Sequence, residues 1–290
     1  MKLSQIYSSD TRRLSFEIFP PKTDIPIDTV FDTISKLKQL NPSFISVTYG
    51  AGGSNKGRTV EIASKIKNEH GLEAMAHLTC AGHTKEDIDY ILEELKQKGI
   101  ENILALRGDP PTNQPNFDYH KNDFPYAVKL IEYIKSKGDF SIAAAAYPEG
   151  HKDSKSITKD WYYLKEKVDA GVDVLITQLF FDNRIFYHFM EDIERIGIRC
   201  PVIPGIMPIF NSKQIKRIIS LCGSSMPGEL LTMMDQYGDS QDDLRKAGIE
   251  YAIRQIQDLL DNGVLGIHLE PMNRPALAEE IIKGLSYKFN

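Results

Sequence analysis

Strand-like and helix-like stretches alternate along this chain, with a new strand beginning about every thirty residues, a rhythm that suits successive right-handed βα units. The strand-like stretches are 14–19, 44–49, 74–79, 102–107, 141–147, 174–180, 202–206 and 264–269. Each is a short apolar run rich in β-branched or small residues. Between them, 28–39, 57–69, 84–98, 123–137, 157–170, 183–196 and 212–222 carry apolar residues at three- and four-residue spacing, as amphipathic helices do. In the third of these, Ile88, Ile91, Leu92 and Leu95 share one face. Asp28, Thr84 and Asn211 are expected helix N-caps, and Gly71, Gly99, Gly138, Gly171 and Gly197 are expected to close helices before the next strand.

Eight such units in 290 residues match what a closed (β/α)8 barrel requires. The interval before the last strand is longer and predicts extra helices near 227–236 and 240–262. The expected class is therefore α/β, a TIM barrel with extra helices between strands 7 and 8, forming a single domain over 1–290. An open doubly wound sheet is the alternative, but the even spacing shows no midpoint at which strand order would reverse.

Thirty-five basic and forty acidic residues leave a net charge of −5, which argues against a nucleic-acid partner. No apolar run has the length of a membrane-spanning helix. The polar stretch Met1–Arg13 lacks the apolar centre of a signal peptide. Cys80, Cys200 and Cys222 are widely spaced and odd in number, which suits a reducing compartment. A cytoplasmic location is expected.

In a barrel of this kind chemistry belongs at the C-terminal ends of the strands. Those ends carry Glu17, Thr48-Tyr49, His77 to Thr79, Arg107-Gly108-Asp109, Tyr147, Gln178 and Glu270. Glu17 sits inside the apolar run Ser15-Phe16-Glu17-Ile18-Phe19, which ends at Pro20-Pro21. A carboxyl buried there would have a raised pKa and could act as a general acid, or it could cap the strand or pair with an arginine. Gln178, in an apolar run, needs hydrogen-bond partners. No His and Cys cluster has zinc-binding spacing, so no metal is expected. Gly50-Ala51-Gly52-Gly53 lacks the third glycine of a dinucleotide loop, and Gly52–Thr59 has Arg58 where a P-loop has lysine. The simpler expectation is a loop leading to a helix N-terminus that could accept an anion.

Eight segments, in order, carry a resemblance to a known family. They are SFEIFPPK (15–22), FISVTYGAGG (44–53), AHLTC (76–80), LRGDPP (106–111), AAYPEGH (145–151), KVDAGVDVLITQLFFD (167–182), PVIPGIMPI (201–209) and MNRP (272–275). Together they resemble methylenetetrahydrofolate reductase, at the length of the bacterial catalytic unit without the regulatory domain of eukaryotic forms. The resemblance implies a barrel holding non-covalent FAD without a Rossmann fold. It further implies hydride transfer from NADH or NADPH to the flavin, and then to 5,10-methylenetetrahydrofolate, in a ping-pong sequence that serves one-carbon and methionine metabolism.

Carried over by position, Glu17 corresponds to the general acid that opens the imidazolidine ring. Asp109 corresponds to an aspartate near flavin and pterin that stabilises a cationic iminium. The implied flavin contacts are Thr48, Tyr49, Ala51, His77, Leu106, Arg107, Gly108, Asp109, Tyr147, His151, Ser154, Asp160 and Lys167, with either Tyr119 or His120 from the loop 112–123. Gln178, Gln214 and Arg274 correspond to substrate contacts, Arg274 with a substrate carboxylate. The chain departs from the family at Ile218, where an aromatic residue is common, and at Glu270, where tyrosine is common. Glu270 could instead pair with Arg274.

Self-association through an apolar face at Leu230-Leu231-Thr232-Met233-Met234 is also expected. Two other classes remain at this stage. One is a barrel enzyme acting on a phosphate-bearing substrate and binding no flavin. The other is a flavoprotein that receives electrons from a partner protein.

Overall fold

The computed structural model describes residues 1–22, 24–49, 56–111, 114 and 116–289. The strands among them are β1 (Arg13–Ile18), β2 (Phe44–Val47), β3 (Glu73–Thr79), β4 (Asn102–Leu106), β5 (Ser141–Ala146), β6 (Val174–Thr177), β7 (Val202–Ile203), β8 (Gly205–Ile206) and β9 (Gly266–Leu269). The helices are α1 (Leu3–Ile6), α2 (Asp28–Lys38), α3 (Lys56–Asn68), α4 (Lys85–Gln97), α5 (Ala127–Lys137), α6 (Ile157–Asp169) and α7 (Asn183–Arg195). They continue with α8 (Ser212–Cys222), α9 (Gly228–Tyr237), α10 (Gln241–Asp261) and α11 (Pro275–Gly284).

Every strand pairing is parallel, in the order β7-β6-β5-β4-β3-β2-β1-β9-β8. The two ends of that order are one stretch of chain, because only Pro204 separates β7 from β8. Proline has no N–H to donate, so the ladder changes partner there. Before it Leu175 donates to Pro201 O at 2.8 Å, and after it His268 donates to Pro204 O at 3.0 Å. Gly205 N, next in line, donates to the Thr177 hydroxyl at 2.9 Å. A Cβ at Gly205 would lie 2.4 Å from Thr177 O, so only glycine fits the seam. Strand 202–206 is thus two halves of one barrel strand, and the (β/α)8 barrel closes through it. Its extra helices, α9 and α10, fall between β8 and β9, that is, between the seventh and eighth strands of the barrel.

Side chains alternate across each strand. Leu14, Phe16 and Ile18 of β1 join the large layer between sheet and helices, with Ile34 and Leu37 of α2 and Ile281 of α11. The opposite face supplies a second core: Phe44, Met75, Leu104, Ala143, Val174, Ile176 and Ile203 fill the barrel. Leu3, Ile6 and Tyr7 close its lower end. That plug is pinned by Asn102 at the start of β4, whose Oδ1 accepts from Leu3 N at 2.9 Å and whose Nδ2 donates to Met1 O at 3.1 Å.

Thr84 and Asn211 cap α4 and α8 as their positions predict. Asp28 does not cap α2: the helix starts one residue earlier, with Ile27 at the N-cap, because Thr29 N and Val30 N donate to the Pro26 and Ile27 carbonyls. Gly138 is extended (φ 167°), whereas Gly71, Gly99, Gly171 and Gly197 have positive φ. In the 230–234 stretch, Leu230 and Met233 are buried within the chain's own core, and Leu231 is exposed.

Asn102→Ala leaves the Leu3 N–H without its acceptor in a buried setting. The expected loss of stability is about 1–3 kcal/mol, read as a lowered urea midpoint. An unchanged midpoint would show that the plug contributes nothing to global stability.

Candidate active site

The upper end of the barrel interior, at the C-terminal ends of the strands, is polar. Inward positions on β1, β2 and β9 place Ser15, Ser46 and His268 together. His268 is 1% exposed, with Nδ1 2.8 Å from Ser15 Oγ and Nε2 3.2 Å from Ser46 Oγ. Two residues further along β1, Glu17 enters the same space with its side chain 12% exposed. Its Oε2 lies 3.4 Å from His77 Nε2 and 3.8 Å from His268 Nε2. The partners of Glu17 are two imidazoles, not an arginine.

Burial sets the charge of this group. It raises the Glu17 carboxyl to about 8. It lowers His77 to about 3, helped by the neighbouring His268, and lowers His268 to about 4. Burial thus favours the protonated carboxyl and the neutral form of both imidazoles. The Nε2 of His77 is buried without a hydrogen-bond partner. Glu270, at the end of β9, is also raised well above the usual carboxylate range, first by burial and then by the charge of Glu17.

The β2 end contributes Thr48 and Tyr49. Thr48 O accepts from the Thr59 hydroxyl at 3.0 Å, and the Tyr49 hydroxyl lies 2.8 Å from His83 Nε2. Ala51 and the Gly50–Gly53 turn lie outside the described residues. Arg58, from the near-P-loop stretch, donates to the carbonyls of Pro21, Lys22 and Ile25, so it braces the β1–α2 connection.

From β4, Leu106 leads into Arg107, Gly108 and the exposed Asp109. Gly108 has φ 80°, and a Cβ there would lie 2.7 Å from Thr79 Cβ. Arg107 donates to Asp153 Oδ2 at 2.8 Å and stacks 4.6 Å over the Tyr119 ring. The Tyr119 hydroxyl donates to Gly108 O at 2.9 Å. His120 is exposed and lies against Tyr126 instead, with ring centres 5.8 Å apart. Of the two, the fold joins Tyr119 to Arg107 and Gly108.

Beyond β5, the Tyr147 and His151 rings meet edge to face at 4.7 Å, and His151 N donates to Asp160 at 3.1 Å. Ser154 is used locally: its hydroxyl donates to Ser156 O at 2.9 Å. Lys167 on α6 donates to Ala145 O at 2.6 Å, and burial lowers it to about 8 against the opposing pull of Asp160. Gln178 Oε1 accepts from Leu179 N at 2.8 Å, and its amide nitrogen has no partner among the described residues. Gln214 Nε2 reaches Met207 Sδ at 3.5 Å, leaving a buried Oε1 without a partner. Arg274 lies 4.3 Å over the Phe210 ring, and among the described residues no ion pair joins it to Glu270.

Sequence reasoning did not single out His268, Asn273 or Asp153 for the site. Asn273 clamps the ends of β1 and β9, accepting from Phe19 N at 2.9 Å and donating to Phe19 O at 2.8 Å. Inward alternation with Glu270 was the available signal for His268. Nothing local marks the other two.

This is a (β/α)8 barrel with a buried carboxyl of raised pKa at the top of β1, an arginine and an amide side chain beyond the ends of β4 and β6, and a lysine on α6. The family model described as methylenetetrahydrofolate reductase matches residues 2–286. A protein from Arabidopsis thaliana named methylenetetrahydrofolate reductase (NADH) 1 is 39% identical over 98% of this chain and 50% of its own length. The 5,10-methylenetetrahydrofolate reductase of Escherichia coli is 36% identical over 95% of this chain and 91% of that one. The chain spans about half the length of the plant relatives it matches. Among solved structures, a Clostridium thermocellum protein described as uncharacterized and binding two copies of 5-methyl-5,6,7,8-tetrahydrofolic acid superposes with TM-score 0.67. That match has 12% identity and covers 98% of this chain and 97% of the other, a likeness of fold. The chain belongs to the methylenetetrahydrofolate reductase family.

A carboxyl held neutral by burial makes stability fall as pH rises from the ordinary value of 4.5 towards about 8, because the native state binds the proton more tightly than the unfolded one. Glu17→Gln carries no ionisable group. Its stability relative to wild type is therefore expected to rise across that interval, as followed by denaturant midpoints at several pH values. A pH-independent difference would mean that Glu17 is ionised when folded.

Proposed function

We propose that this chain reduces 5,10-methylenetetrahydrofolate to 5-methyltetrahydrofolate with NADH or NADPH as donor and FAD as cofactor, with Glu17 as the general acid. Family membership supports the reaction, and the NADH in the plant relatives' names supports a nicotinamide donor. The observation that carries the chemical reading is the Glu17 carboxyl, 3.4 Å and 3.8 Å from two imidazoles at the barrel's open end, where burial raises its pKa.

The residues present fit a flavin dinucleotide. Lys167 is a buried amine held by one carbonyl, its ammonium form disfavoured by burial and supported by the charge of Asp160, a setting in which an anionic phosphate would add further support. Arg107 and His151 extend that polar strip, and Tyr119 and Tyr147 add aromatic faces. The set that would hold the cofactor is Thr48, Tyr49, Ala51, His77, Leu106, Arg107, Gly108, Asp109, Tyr119, Tyr147, His151, Asp160 and Lys167, with Ser154 at its edge. When bound, FAD supplies a two-electron carrier able to serve a nicotinamide and a folate in turn.

The chain's own residues supply the rest. Opening the five-membered ring of the folate requires a proton on a weakly basic nitrogen, and Glu17 carries that proton at neutral pH because burial disfavours its anion. His77 and His268, kept neutral, leave the Glu17 anion without a compensating charge and so keep the proton on Glu17 until the substrate takes it. Asp109 contributes negative charge toward a cationic folate intermediate. Gln178 and Gln214 offer unpartnered amide atoms able to match the donors and acceptors of a pterin. Arg274 is the candidate partner for a substrate carboxylate.

The deciding experiment is a visible spectrum of the purified protein, followed without oxygen. Flavin absorbance is expected to bleach with NADH or NADPH and recover on adding methylenetetrahydrofolate. Bound flavin that does not bleach would assign electron delivery to a partner protein. Absence of flavin, even after adding FAD, would overturn the reading.

Glu17→Gln is expected to leave bleaching nearly intact while slowing reoxidation by the folate about 10²–10⁴-fold, the usual worth of a positioned acid. Equal loss in both half-reactions, measured by stopped flow, would make Glu17 structural. Asp109→Asn is expected to raise the flavin midpoint potential and slow the folate half-reaction. An unchanged potential removes Asp109 from that role.

A further inference from the structure

Glu270 is not used by the reading above, yet the barrel seam directs it to the same place as Glu17. In the parallel pairing of β1 with β9, Phe16 is registered with Leu269, so Glu17 and Glu270 are the next residues along each strand. Phe16 and Leu269 both face the outer core, so both carboxyl side chains turn into the barrel. Neighbouring strands lie about 4.8 Å apart. Glu270 N donates to Ile206 O at 2.8 Å, which fixes the strand end. The Glu270 Oε1 sits over the seam, 3.6 Å from where a Gly205 Cβ would be. The absent side chain at Gly205 gives this carboxyl its room.

We propose that Glu17 and Glu270 form a carboxyl pair holding one proton in common, with Glu270 the positioning residue that keeps Glu17 supplied with it. The proposal rests on the reading of Glu17 as the acid. Two adjacent carboxylates in an apolar setting resist losing their last proton, because the second ionisation would place like charges side by side. In the acid step an O–H bond of the pair breaks and an N–H bond forms on the folate. The pair passes from one proton to none, and water returns the proton afterwards.

The groups facing the pair do not supply a compensating positive charge. Burial disfavours the charged forms of His77 on β3 and His268 on β9, and the pull of His268 on Glu270 is smaller than the opposing effects of burial and of Glu17. Cys222 at the end of α8 is raised to about 11, first by burial and then by Glu270, and stays a thiol. Lys152 lowers the Cys222 thiol against those effects and is not among the groups that shift Glu270. Thr177 and Gly205 on the seam carry no charge.

The test is a pH titration of ligand-free protein labelled with 13C at glutamate carboxyls. The Glu17 and Glu270 signals are assigned by their loss in Glu17→Gln and Glu270→Gln. In wild type both signals are expected to follow the same two steps. In Glu270→Gln the Glu17 signal is expected to follow one step, about one pH unit or more below the upper wild-type step. The alkaline limb of the folate half-reaction should move down by the same amount, with nicotinamide oxidation unchanged. Glu270→Asp, which keeps the charge but draws it back, should fall between. A Glu17 titration that is single-step and identical in wild type and Glu270→Gln would overturn the pair. Lower activity with an unmoved pH limb would also overturn it, because a packing role would produce that result. Coupled titration in a protein that reduces no folate would leave the pair standing and bring down the functional reading alone.

Discussion

Closure of the parallel barrel is the constraint on which the rest depends. Once the strands form a ring, every second side chain must enter one shared interior, and the lower part of that interior fills with Phe44, Met75, Leu104 and Ile176. Polar groups on the same inward rows are left to its two ends, Asn102 meeting the plug below and the others standing at the upper end. Ser15, Ser46, His77, Glu17, His268 and Glu270 are therefore gathered there by alternation alone. The closing step depends on Pro204 and Gly205, one breaking the ladder to β6 and the other admitting the Thr177 hydroxyl in its place.

That enclosure also sets the chemistry. Glu17 and His77 are 3.4 Å apart, a distance at which a surface pair would be ionised. Here desolvation acts on both and favours the neutral forms of each. The result is an acid with its proton in place, in a setting that gives its conjugate base little support. On the opposite side of the mouth charge is retained: Arg107 is paired with Asp153, and Lys167 keeps one carbonyl and the influence of Asp160. A neutral proton donor facing a cationic rim suits a ligand set that combines phosphates with a weakly basic ring nitrogen.

The loops refine what the strands place. Gly108 passes tightly over Thr79 and hands its carbonyl to the Tyr119 hydroxyl, which brings that ring beneath Arg107. The amide of Asn273 ties the two backbone groups of Phe19 to the end of β9. These contacts hold the strands bearing Glu17 and Glu270 against each other at the place where the sheet hydrogen bonding stops.

Amino-acid order by itself determined the strands, most helix bounds, the barrel, and which strand ends carry polar groups, because all of these follow from periodicity within some ten residues. The family motifs likewise lie within short runs. Four-residue α1 was too short for any period to show, and Asp28 lost its cap because the Pro26 and Ile27 carbonyls start the helix a residue sooner. Local pattern cannot report a partner two hundred residues away. Only the tertiary structure decided that Glu17 meets imidazoles instead of an arginine, that Tyr119 and not His120 joins Arg107, and that Glu270 stands beside Glu17 instead of pairing with Arg274. Those outcomes depend on register and closure, which bring distant strand ends into one desolvated space.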